Sequence, residues 1–162
     1  MINLEHRQRA EQIRPPPDHV VLAVPLAVEP GSMFAGQPLE RESLMVLSSK
    51  DEYDVVSAGE LDLIGLSVHR SMLEGSLAPA KRGWLEHAEC QRNLELAPDV
   101  AAAIRHMLLA VSGDAARCLA LLDDREQEAA LLSATLTQTV MLAMACDRAA
   151  QASSIPRRAD SR

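Results

Sequence analysis

The chain of 162 residues is 48% hydrophobic and 24% charged, which suits one packed domain and excludes wholesale disorder. Only 2% is aromatic (Phe34, Tyr53 and Trp84), so the core is aliphatic, and a binder that stacks single-stranded bases on aromatic rings is excluded. The net charge is −7, and residues 18–97 hold six basic against thirteen acidic side chains, which leaves no cation cluster for tracking phosphates.

Residues Ile2 to Arg14 alternate charges of both signs and read as a frayed helix, ended by Pro15-Pro16-Pro17. The valine-rich run His19 to Val28 reads as a buried strand, with Pro25 placing it at an edge or breaking it. Pro30-Gly31 signals a turn, and Gly36 within Phe34 to Leu39 suits a hairpin. Ser43 to Ser48 predicts a strand with Leu44 and Val46 on one face and Met45 and Leu47 on the other. After the charged turn at Lys50 to Asp54, Tyr53 to Ser57 reads as a short strand. Leu61 to Val68 is the clearest strand, with Leu61, Leu63, Gly65 and Ser67 alternating with Asp62, Ile64, Leu66 and Val68. Several strands at this spacing predict an antiparallel sandwich or barrel.

The period then changes. Ser71 and Glu74 have capping-box spacing for a short helix, and Arg82 to Cys90 reads as one or two further helical turns. Asn93 to Leu96 reads as a last strand. Pro98-Asp99 opens a helix with Val100, Ile104, Met107, Leu108 and Val111 on one stripe, ending at Gly113. Asp114 to Leu122 reads as a separate short helix. Asp124 caps another, running from Arg125 to about Ala152, whose residues Leu132, Leu136, Val140 and Ala143 share a face. That face is apolar enough to require a partner, either a second copy of the chain or the helix from Pro98 within the same chain.

Motifs for chemistry are missing. The five histidines, His6, His19, His69, His87 and His106, show no H-x-H or H-E-x-x-H spacing. His19 and His69 approach each other if their strands are neighbours, and a strand-end histidine with a backbone partner is the expected role for His69. No G-x-S-x-G or phosphate-binding loop occurs. Asp51, Glu52 and Asp54 read as a solvated hairpin, and Asp123, Asp124, Glu126 and Glu128 as a helix start, where the dipole favours negative charge. Cys90, Cys118 and Cys146 are an odd number without C-x-x-C spacing, which suggests reduced thiols in the cytoplasm. The expectation is no enzyme, no catalytic residue, no metal, no cofactor and no spanning segment. The basic tail Arg157, Arg158 and Arg162 reads as a linker.

The order of the segments is more specific than any one of them. D-H-V-V-L-A-V-P at 18–25 precedes F-A-G-Q-P-L at 34–39 and L-M-V-L at 44–47. E-Y-D-V-V-S-A-G-E-L-D-L-I-G-L-S-V-H-R-S-M-L follows from Glu52 to Leu73, then R-N-L-E-L-A-P at 92–98 and A-A-I-R-H-M-L-L. This succession resembles the N-terminal regulatory half of AraC/XylS-family transcription regulators over roughly Pro17 to Ala152. The resemblance implies an α+β chain: a partial, cupin-like antiparallel β-sandwich followed by helices that dimerise. The family's further upstream strands and its helix-turn-helix half are lacking.

The implied organisation is a charged, proline-terminated segment at 1–17, a sensor domain at 18–97, a helical dimerisation region at 98–152 and a linker tail at 153–162. The implied function is a cytoplasmic sensor and dimerisation domain. It would form a homodimer through Leu132, Leu136, Val140 and Ala143, respond to a small-molecule effector whose contacts the sequence does not identify, and reach DNA only through a helix-turn-helix half outside these residues. The alternative is a stand-alone interaction protein that dimerises with full-length relatives. A small cupin-like enzyme is the third reading, disfavoured because the cupin pair of histidines and its glutamate are absent.

Overall fold

All six residues of Ser43–Ser48 are buried, because the strand they form is covered on both faces. A computed structural model describes residues 9–76, 79–121, 134–135 and 137–144. Its strands are β1 (Arg9–Ile13), β2 (His19–Val28), β3 (Met33–Phe34), β4 (Gln37–Pro38), β5 (Ser43–Ser48), β6 (Tyr53–Ser57), β7 (Leu61–His69) and β8 (Asn93–Glu95). The helices with both ends described are α1 (Arg70–Ser76), α2 (Pro79–Gln91) and α3 (Pro98–Leu121); residues 134–135 and 137–144 are helical as well.

Two four-stranded antiparallel sheets result, ordered β1-β6-β3-β4 and β7-β2-β5-β8. They face each other as a sandwich, and the helices cover the outer face of the second sheet. The chain is therefore α+β. The strand alternation assigns each residue to a layer. Met45 and Leu47 of β5 join Phe34, Tyr53, Leu61 and Leu63 between the sheets. Leu44 and Val46 point the other way, into a second core with Leu85, Ala101, Ile104 and Leu108 of the helices. Each fully buried aliphatic side chain contributes about 1.5–3 kcal/mol, so both cores stabilise the sheet they share.

The expected helix over Ile2 to Arg14 is corrected for its described part. Residues Arg9–Ile13 form β1, paired with β6 from Arg9↔Ser57 to Ile13↔Tyr53. Ile13 packs against the inter-sheet core, and the Gln12 side-chain amide donates to Asp54 Oδ1 at 3.3 Å. Cross-strand pairing here overrides local helix preference.

Pro25 does not place β2 at an edge. The strand is central, between β7 and β5. Its pairing with β5 runs only from Val20 to Ala23, so Pro25 lies beyond it, and the register with β7 shifts between Pro25 and Ala27. A bulge where one neighbour has ended tolerates the missing N–H. The hairpin expected at Gly36 is the two-residue turn Ala35-Gly36 between β3 and β4, both with positive φ (49° and 76°), which matches the twist of the flanking strands.

Two helix expectations also change. α1 begins at Arg70, so the Ser71 hydroxyl meets His69 Nδ1 at 2.8 Å while Glu74 pairs with Arg70. Gly113 does not end α3, which continues to Leu121 and absorbs the segment expected as a separate helix. A helical glycine costs only about 1 kcal/mol, which a 24-residue helix tolerates.

Among the expected interface residues, Val140 and Ala143 are buried within the chain itself (0% and 1% exposed), in the core shared by the helices and the second sheet. Leu132 and Leu136 lie outside the described residues, as do the cap at Asp124 and the tail at 153–162. No helix among the described residues is long and apolar enough to cross a membrane.

Candidate functional site

A cavity of about 290 Å³ opens between the two sheets. Its floor is the sandwich face of β2, β5 and β7: Val21, Ala23, Met45, Leu47, Leu63 and Gly65. Its other wall is the end of β1 and the proline run that follows, from Ile13 to Pro16. The three prolines hold this segment extended, so it passes over the floor without refilling it.

Small residues make the hollow. Ala23 and Gly65 are register partners on β2 and β7, and Ser67 pairs with Val21 beside them. A larger side chain at either Ala23 or Gly65 would stand in the cavity. Gly65, Ser67 and His69 are exposed, although Leu61 and Leu63 earlier on the same face are buried. The first sheet thus stops short of the second half of β7, and the cavity opens there.

The lining is mainly aliphatic. Its polar side chains are Ser67 and Arg14, and Arg14 Nη1 lies 3.3 Å from Glu52 Oε1 in a solvent-exposed pair. Exposed pairs of this kind contribute about 0–1 kcal/mol, so Arg14 retains donors for another acceptor at little cost. Among the described residues, no carboxylate or histidine side chain lines the cavity. The arrangement provides an apolar seat with hydrogen-bonding capacity at its edge, and no paired acid and base for proton transfer.

The expected approach of two histidines does occur. His19 and His69 are register partners, with ring centroids 5.4 Å apart and planes at 77°. They occupy the face of Val21 and Ser67, one alternation further along. His19 Nδ1 donates to the Pro17 carbonyl at 2.8 Å, and His69 Nδ1 has the expected backbone partner in the Ser71 N–H at 3.4 Å, beside the Ser71 hydroxyl at 2.8 Å. Among the described residues no group of three His, Cys, Asp or Glu side chains is placed to hold a metal ion. Cys90 is exposed and free; Cys146 lies outside the described residues, and Cys118 falls within α3.

Beside the inter-sheet core, Ser48 N–H donates to the Tyr53 hydroxyl at 2.8 Å, and Phe34 stacks on the Tyr53 ring at 5.6 Å. Burial pushes the Tyr53 phenol above its ordinary value, against the opposing effects of the Ser48 amide and of the Arg92 charge over the ring. This is a structural tyrosine at the β5–β6 turn. Another hollow of about 240 Å³ lies between α2, β8 and the helical residues 137–144 and is bordered by His87, Gln91, Asn93 and Glu95.

The sequence identified neither the seat nor its wall. Residues 13–16 fell in a segment read as external to the domain. The available signal was the change from Leu61 and Leu63 to Gly65 and Ser67 on one face of β7. No protein-family model matches the chain, and no curated protein matches its sequence.

Proposed function

We propose that the chain is the regulatory sensor and dimerisation domain of an AraC/XylS-type transcription regulator, with a cupin-like sandwich that receives a small effector. The observation that carries this reading is the apolar cavity of about 290 Å³ between the sheets, open beside β7, in a fold whose other sheet face is covered by helices. An effector seated on Ala23, Met45, Leu47 and Leu63 contacts the strands whose opposite faces hold the helical layer. That layout couples occupancy to helix position through one sheet. The ordered resemblance over roughly Pro17 to Ala152 supports the same reading. The domain works in the cytoplasm, self-associates through its C-terminal helical region, and acts on DNA through a separate helix-turn-helix half.

The test is to fuse the chain to a DNA-binding headpiece that represses a reporter only as a dimer. The expected result is repression that depends on the fused chain. A fusion that folds, fails to repress and sediments as a monomer at high micromolar concentration contradicts the reading. Repression restored only by a full-length relative would instead identify a stand-alone interaction protein.

A further inference from the structure

We infer that the inter-sheet cavity selects a compact, largely apolar molecule, about the size of a substituted six-membered ring, with one hydrogen-bond acceptor directed to Ser67 and Arg14. This rests on the reading of the cavity as the effector site and adds the chemical class of the effector.

Volume sets the size. An apolar protein cavity of about 150 Å³ accommodates benzene. The cavity between β2, β5, β7 and residues 13–16 is about 290 Å³, enough for one ring with a substituent and too small for a nucleotide. Shape agrees with this, because the Ala23–Gly65 pair removes bulk from the floor at one place while Met45, Leu47 and Leu63 surround it.

Lining sets the polarity. A sugar carries a hydroxyl on almost every carbon, and each would lose water on entering. The floor offers aliphatic side chains, so most of those hydroxyls would remain unpaired. A cation has no carboxylate to meet among the described residues that line the cavity. Among the described lining residues, the two polar side chains are the Ser67 hydroxyl and the Arg14 guanidinium. Both donate hydrogen bonds, and Arg14 donates only. The complementary ligand group is therefore an acceptor: a ketone or ester carbonyl, an ether or a carboxylate. Ser67 is exposed and Arg14 is held in an exposed pair with Glu52, so this group remains at the open side while the apolar body lies inward.

The experiment titrates the full chain with cyclohexanone, hexanoate, toluene and glucose, and follows binding by saturation-transfer NMR and equilibrium dialysis. Cyclohexanone is expected to bind one per chain with a dissociation constant of about 0.1–1 mM, with hexanoate in the same class and glucose not binding. Ser67→Phe, at an exposed strand position that accepts aromatics, should weaken cyclohexanone about tenfold or more by filling the mouth without changing the circular dichroism or Tm. Ser67→Ala and Arg14→Gln should weaken cyclohexanone and hexanoate while leaving toluene unchanged. Glucose binding that Ser67→Phe abolishes would overturn the inference. So would the absence of binding by every apolar probe, or apolar binding that Ser67→Phe leaves intact. In each of these cases a dimerising, repressing fusion still upholds the regulatory reading, so the two failures are distinguishable.

Discussion

Ala23 and Gly65 oppose each other across β2 and β7, and a Cβ placed on Gly65 would stand 2.9 Å from the Ala23 Cβ and 3.0 Å from the Leu22 carbonyl oxygen. One of those atoms is backbone, so rotamer changes cannot relieve the contact. Gly65→Ala is expected to destabilise the chain by about 1–3 kcal/mol, the range for overpacking. Urea unfolding followed by the fluorescence of Trp84, the single tryptophan, measures it. A variant as stable as the parent would show that β2 and β7 separate freely at this point.

Tyr53 makes stability depend on alkaline pH. Burial raises its folded-state pKa above the ordinary value of 10.0. A raised pKa means that the folded state favours the protonated phenol, so this contribution is fully present below about pH 10. It is lost as pH rises from there through the folded pKa. Unfolding free energy should therefore fall above pH 10 more steeply in the parent than in Tyr53→Phe. That variant should also lose about 1–3 kcal/mol at neutral pH, because the Ser48 N–H loses its acceptor. Parallel pH profiles for the two proteins would contradict the assignment.

Arg70 ties the helical layer to the second sheet. Its guanidinium pairs with Glu89 of α2 and Glu74 of α1, and donates to Ser48 Oγ of β5 at 3.4 Å. The Glu89 side chain is only 11% exposed, so removing its partner strands a largely buried charge. Arg70→Ala is expected to cost about 2–4 kcal/mol, slightly below the range for fully buried pairs. The double variant Arg70→Ala with Glu89→Ala should recover part of that loss. A double-mutant cycle with no coupling would show the two groups to be independent.

Self-association separates two positions that are neighbours in the chain. Val140 is buried inside the subunit, whereas Met141 is 42% exposed. Val140→Asp places a charge in the core and should unfold the helical layer, at a cost of about 4 kcal/mol or more. Met141→Asp should leave the circular dichroism unchanged and convert the expected dimer to a monomer in sedimentation. A dimer that survives Met141→Asp would place the interface elsewhere.

Strand periodicity made much of the fold legible. The alternation in Ser43 to Ser48 assigned Leu44 and Val46 to one layer and Met45 and Leu47 to the other, and β7 follows the same rule. Local signals failed where distant partners decide the outcome. Arg9 to Ile13 is strand because β6 supplies hydrogen bonds and a seat for Ile13, neither of which local sequence reveals. Gly113 is a helix breaker by composition and a tolerated helical residue in place. The cavity was illegible because it consists of missing volume: Ala23 and Gly65 lie on strands distant in sequence, and their pairing becomes apparent only once the register is known.

In the proposed function the cavity face of the second sheet receives the effector. Methyl-resolved NMR of the full chain during a cyclohexanone titration tests it most directly, because β5 presents alternate side chains to opposite layers. Early, saturable shifts of the Met45, Leu47, Leu63 and Val21 methyls are expected, with Leu44, Val46 and Ile104 changing less. Shifts centred on Leu44, Val46 and Ile104, or no saturable shift at Met45 and Leu47, would contradict it.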